Sequence, residues 1–249
     1  MGIAALAGII TWVLTTLLTV SGVGAAFILI PIFIALGIDV HVAMSTALLL
    51  NSIAMTCASY QFIRSRLVMW KVALPILTVA TVLSPVGAYV SRGLDQQLLM
   101  WLFVGFLLFA AGMMLFYESE EKEAEGSRTG QLVYGLSVGA LAGFLGGLLG
   151  VGGGNFIVPV LVWLGFNPKK AAATTSFIVI FSSFSGFLGH ASLGHIEVPL
   201  LGFTALGSAL GAVTGAWLVT EKLKGKQVKR VIGCVLLGIA LKMIWNLLA

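Results

Sequence analysis

Apolar runs long enough to span a membrane follow one another along all 249 residues, separated by short polar breaks. They fall at roughly 3–20, 24–37, 43–63, 70–91, 97–117, 130–149, 153–166, 171–191, 197–219 and 228–248. The runs are continuous and lack the two-residue alternation of a membrane β-strand. The pattern therefore predicts an all-α polytopic membrane protein. The one clearly hydrophilic stretch, Glu118 to Arg128, lies in the middle and reads as a linker.

The pattern also occurs twice. Gly22-Val23-Gly24 followed by Phe27-Ile28-Leu29-Ile30-Pro31 returns as Gly150-Val151-Gly152-Gly153-Gly154-Asn155 followed by Phe156-Ile157-Val158-Pro159. A small, hydroxyl-rich cluster comes next in each copy: Ala43-Met44-Ser45-Thr46-Ala47-Leu48, then Ala172-Ala173-Thr174-Thr175-Ser176-Phe177. Glycine interruptions at matching places in two apolar halves point to the binding site of a transporter built from repeats.

The segments at 24–37 and 153–166 are short for a crossing of ~20 residues. Each is either the continuation of a kinked helix or the second arm of a helical hairpin. Charge favours the hairpin. With eight simple crossings, the basic loops at Arg64–Lys71 and Lys222–Arg230 fall on opposite sides of the membrane, against the positive-inside rule. With hairpins, both loops and Lys122, Arg128, Lys169 and Lys170 share one side, leaving Arg92 and Lys242 on or towards the other. Each repeat then has five elements, an odd number, so the second copy is inverted. The expected layout is repeat 1 at 1–117 (hairpin 3–37, spans 43–117), a cytoplasmic linker at 118–129 and repeat 2 at 130–249 (hairpin 130–166, spans 171–249). Both termini are expected on the non-cytoplasmic side.

Composition narrows the function. The chain is 59% hydrophobic and 9% charged, too apolar for a soluble core of this size. Its net charge of +5 sits in loops between spans and marks topology, not nucleic acid. The amino-terminal run lacks a basic leader region and is expected to be a retained span. No metal-ligand cluster, nucleophile elbow or nucleotide loop is visible, so neither an enzyme nor a cofactor is expected. Cys57 and Cys234 read as buried apolar fillers. His41, His195 and Glu197 are assigned to outer loops, and the six tryptophans to the membrane interface.

The candidate chemistry is polar. The glycine turns are read as facing each other near the midplane, their freed amides holding an anion. Close packing of small residues is the alternative. Ser45, Thr46, Thr174, Thr175 and Ser176 would donate to substrate oxygens or cap helices. Asn51, Gln61 and His190 stand in apolar surroundings, where a polar group needs a partner or a role. Ser182, Ser183 and Ser185 are expected to hold helices together.

The doubled motif, with the later His190 to Gly194, resembles the TauE/SafE family of sulfite and organosulfonate exporter-like permeases. The resemblance covers nearly the whole chain. Repeat 1 departs from it: Ala25-Ala26 replace two glycines, Ala47 replaces a serine, and Gln61 stands where repeat 2 has His190. The resemblance implies a secondary transporter in a prokaryotic inner membrane. It would carry a small sulfur-containing anion, with export the expected direction, by alternating access. The rivals are a passive anion channel and an importer coupled to protons or sodium. A homo-oligomer is left open.

Overall fold

The computed structural model describes residues 2–22, 24, 26, 29–30, 33, 40–91, 96–116, 128–149, 153–190 and 198–248. Among the described residues the secondary structure is helical, with no strand. The helices are α1 (Gly2–Val20), α2 (Val40–Arg64), α3 (Trp70–Val90), α4 (Gln96–Phe116), α5 (Arg128–Leu148), α6 (Gly154–Trp163), α7 (Pro168–His190), α8 (Val198–Trp217) and α9 (Gly225–Leu248). A π-helical turn, Leu218–Lys222, prolongs α8. Within the first hairpin's second arm, Ala26, Leu29, Ile30 and Phe33 are helical and buried. The expected linker lies largely outside the described residues, as do His195 and Glu197.

Helix ends follow local chemistry. The α6–α7 turn closes on Gly165 at φ +91°. There the Gly165 amide donates to Val162 O and the Phe166 amide to Leu161 O, the paired bonds of a Schellman motif. The same pair closes α2, from Arg66 to Ile63 O and from Leu67 to Phe62 O, with Arg66 in the left-handed region at φ 55°. Asn167 caps α7, its Oδ1 accepting from the Lys169 amide at 2.9 Å, and Pro168 takes the first helical position, where its missing N–H costs nothing. Polar first turns, Pro168-Lys169-Lys170 and Gly225-Lys226-Gln227, explain why α7 and α9 begin three residues before the apolar pattern does, and α2 also begins three residues early, at Val40. His41 consequently belongs to α2 and not to a loop.

Among the described residues, four segments are long and apolar enough to cross a membrane: Val42–Arg64, Trp70–Val90, Pro168–Gly189 and Gly202–Lys222. Shorter apolar helices accompany them, including Gly8–Val20 and Gly154–Trp163. Packing runs between the halves of the chain: α1 lies on α8, α3 on both α5 and α7, α2 on α7 and α8, and α4 on α9. Small residues permit the closest of these approaches. Gly139, Gly143 and Gly147 of α5 step past Ile76, Ala80 and Ser84 of α3, and a Cβ at any of them would strike α3 backbone. Gly207, Gly211 and Gly215 of α8 step in the same way past Gly8, Trp12 and Thr16 of α1. Numbers rise together in both pairs, so α3 runs parallel to α5 and α1 parallel to α8.

The α2·α7 pair is antiparallel. Ser52 Oγ donates to Ile180 O at 2.9 Å, Asn51 Nδ2 to Ser183 Oγ at 2.9 Å, and Gly186 faces Leu48. Ser84 Oγ binds Ser182 O and Ser185 Oγ binds Thr81 O, so the α7 serines hold helices together as expected. Cys57 is half-buried, but Cys234 faces outward from α9 and is not the buried filler expected. A continuous apolar run does not tell its inward from its outward face. All six tryptophans are exposed on the helix surfaces, although Trp12 stands midway along α1 and not near an end.

Candidate anion site at the glycine turns

The first glycine turn forms because α1 cannot continue through it. Gly22 and Gly24 lie at φ +73° and +83°, the left-handed region that L side chains avoid. The turn is also sandwiched. A Cβ on Gly22 would approach the Ala172 backbone of α7 to 2.7 Å, and one on Gly24 would overlap the Asn51 side chain of α2. Asn51 is thus engaged as a strut, bonded to Ser183 and seated against the turn. The three alanines Ala171-Ala172-Ala173, all fully buried, supply the flat seat. Sequence reading passed over them because alanine carries no chemistry of its own.

In the second hairpin, Val151 and both Gly150 and Gly152 lie outside the described residues, as does Val23 in the first. Gly153 is described, at φ +75°, and caps α6 without any side-chain bond. The amides of Gly154 and Asn155 that follow are the helix-start donors that lack an intrahelical acceptor. Asn155 itself is 0% exposed, and among the described residues neither its Nδ2 nor its Oδ1 has a hydrogen-bond partner.

The hydroxyl clusters divide sharply. Thr174 Oγ1 accepts from the Met69 amide at 3.0 Å, and Ser176 Oγ donates back to Ala172 O at 2.9 Å. Thr175 Oγ1, Ser45 Oγ and Thr46 Oγ1 are buried with no partner among the described residues. Thr46 and Thr175 hold equivalent places in the two motifs. None of the five residues is a helix cap: all lie inside α2 or α7, where the backbone amides are already committed. Only their hydroxyls can serve a ligand.

Depth decides which groups meet. Asn155 lies eight residues before the end of α6, a rise of ~12 Å, and the same rise from Pro168 up the antiparallel α7 reaches Thr175–Ser176. Ala172, the seat of Gly22, is one turn below Thr175 on the same face. Gly22, Thr175 and Asn155 therefore lie at a similar depth along the bundle. Ser45 and Thr46 do not share it. They lie beyond the α2·α7 crossing at Ser52 and Ile180: along the helix axes Thr46 stands ~9 Å to one side of it and Thr175 ~7.5 Å to the other.

Gln61 belongs elsewhere. It sits in the last turn of α2, its Nε2 3.3 Å from Thr220 Oγ1, while Lys169 Nζ reaches Thr220 O at 3.3 Å. This knot gathers the Arg64, Lys169 and Lys222 ends of three helices at one end of the bundle. It was hidden from sequence because Thr220 lies beyond the apolar pattern of α8. His190 closes α7, and its side chain lies outside the described residues. Among the described residues, no charged side chain is buried, and no group of three or more His, Cys, Asp or Glu could hold a metal ion.

Comparison with known proteins agrees with this architecture. The family model described as "Sulfite exporter TauE/SafE" matches residues 4–243. "Probable membrane transporter protein YunE" of Bacillus subtilis (strain 168) is 26% identical over 259 residues, spanning 90% of this chain and 91% of its own. "Probable membrane transporter protein YdhB" of the same organism is 25% identical over 197 residues, 78% of this chain and 80% of its own. "Sulfite exporter TauE/SafE family protein 1" of Arabidopsis thaliana is 41% identical over 91 residues, 36% of this chain and 18% of its own. No solved structure matches the chain. With apolar helices throughout and a family match running almost from end to end, the chain is a multi-pass membrane protein and belongs to the sulfite exporter TauE/SafE family of membrane transporters.

Proposed function

We propose that the chain is a secondary transporter that moves a small sulfur-containing anion, sulfite or an organosulfonate, outward across a prokaryotic inner membrane. One observation carries the reading. Asn155 and Thr175 are fully buried and, among the described residues, without partners, and Asn155 stands in the first turn of α6, whose start has no side-chain cap bond. An unmade hydrogen bond in a buried site costs ~1–3 kcal/mol, so such groups imply an occupant. A helix N-terminus with amide and hydroxyl donors suits an oxyanion. The absence of a buried cation among the described residues keeps binding weak enough for release.

The two repeats, 1–117 and 130–249, are read as inverted copies joined by the 118–129 linker. The helix directions support this: α1 with α8, α3 with α5, and α2 against α7 give opposite orientations to equivalent elements. With the Gln61–Lys169–Thr220 end in the cytoplasm, the basic loops satisfy the positive-inside rule and both termini lie outside. Ser45 and Thr46 form the second half-site, beyond the crossing. It is the poorer one, since repeat 1 has apolar residues where repeat 2 has Asn155. Rocking of the halves exposes the two half-sites in turn. The inside-negative potential drives an anion out without a coupling ion.

The test is calorimetric titration of purified protein with sulfite, sulfoacetate and taurine, beside Asn155→Ala and Thr175→Val variants that elute as monodisperse protein. Saturable binding of one anion, weakened at least ~10-fold in either variant (1.4 kcal/mol), is expected. Unchanged binding in both variants would remove the site from this position.

A further inference from the structure

We infer that the site selects anions of a single negative charge, hydrogensulfite or a sulfonate, over dianions such as sulfate and fully ionised sulfite. The inference rests on the proposed anion site and concerns what fills it. Among the described residues no Lys or Arg side chain is buried. The sequence has no Lys or Arg at 1–63, 129–168 or 171–221, which covers both expected hairpins, all of α2 up to its final residue and α7 from Ala171 onward. The basic residues nearest Thr175 stay at the end of the bundle: Lys170, Arg66 and Lys71 are exposed, and Lys169 is turned to the carbonyl of Thr220. What remains near Asn155 and Thr175 is a short set of neutral donors: the Asn155 amide group, the Thr175 hydroxyl and the first backbone amides of α6.

Neutral donors and charge balance differently for one charge and for two. The cost of taking an ion out of water rises with the square of its charge, so a dianion costs about four times as much. The attraction to fixed dipoles rises only in proportion to charge. A donor set that offsets the first cost falls short of the second. Asn155 sharpens the distinction, because its Oδ1 is as buried and unpartnered as its Nδ2. A bare dianion offers only acceptors and leaves that oxygen unmatched. Hydrogensulfite brings a proton that Oδ1 can accept, and a monoanionic sulfonate loads the site with one charge.

Sulfamate and sulfate provide the test, since they are nearly the same size and shape and differ by one charge at neutral pH. Wild-type protein is titrated with both at one pH, and with methanesulfonate and thiosulfate as a second pair. The expected result is saturable binding of sulfamate and methanesulfonate, with sulfate and thiosulfate at least ~10-fold weaker. Sulfate binding as tight as sulfamate overturns the charge selection while leaving an anion site in place. Failure of all four to bind overturns both the selection and the site.

Discussion

Single residues carry most of the strain in this molecule, and they carry it at turns. Gly24 combines a φ of +83° with direct apposition to the Asn51 amide. Gly24→Ala should lower stability by ~1–3 kcal/mol through backbone strain and loss of the Asn51–Ser183 bond, read as a drop in Tm. Gly202, with open space around its Cβ position, provides the opposite case: Gly202→Ala should hold or raise Tm, because alanine suits a helix interior better by ~1 kcal/mol. The positions of Gly22 and Gly24 were legible in the sequence, since glycine in an apolar run announces a break. What each glycine touches was not, because Ala172 and Asn51 lie far away in the chain. Nor did spacing separate Thr175 from Thr174 and Ser176. The three look alike in sequence and differ only in that the second has no bond to make.

Helices meet here through stripes of small residues, and those stripes set the allowed distances. Gly143 and Gly147 face α3 backbone with no flexible side chain to give way. Gly143→Val should separate α3 from α5 and cost ~2–4 kcal/mol as overpacking, whereas Gly112→Val on α4, where the Cβ meets nothing within 4 Å, should cost little. Thermal unfolding of the two variants in the same detergent measures the difference. The Gln61–Thr220–Lys169 knot makes a separate prediction. Gln61→Ala should leave anion affinity unchanged and alter transport rate, because the Gln61 side chain is committed to Thr220 where α2, α7 and α8 meet. A loss of affinity in that variant would return Gln61 to the binding site, where its intramembrane setting first suggested it. Helix existence was readable from apolar runs, but helix starts were not: the first turn of α7 is polar, and only the Asn167 cap marks where it begins.

The molecule as a whole is two halves packed through each other. Few of its strong helix contacts stay within a half, and those that cross repeat the same pairing twice, α1 with α8 and α5 with α3. Such interlocking suits a carrier, because neither half can move without changing the contacts of the other. Counting loop charges was enough to suggest the inverted arrangement, since positive residues in short loops report sidedness directly. The difference between the two glycine motifs was legible too, in Ala25 and Ala26, which stand where the second motif has glycines. That the Asn155 amide is buried without a partner among the described residues needed the fold. Solute counterflow in proteoliposomes puts the alternating-access reading to its hardest test. Vesicles loaded with unlabelled methanesulfonate or hydrogensulfite are diluted into a trace of the same labelled anion. The proposed carrier predicts a transient accumulation of label above equilibrium, abolished by Asn155→Ala. A monotonic rise to equilibrium in the wild type, as an open pathway gives, would contradict it.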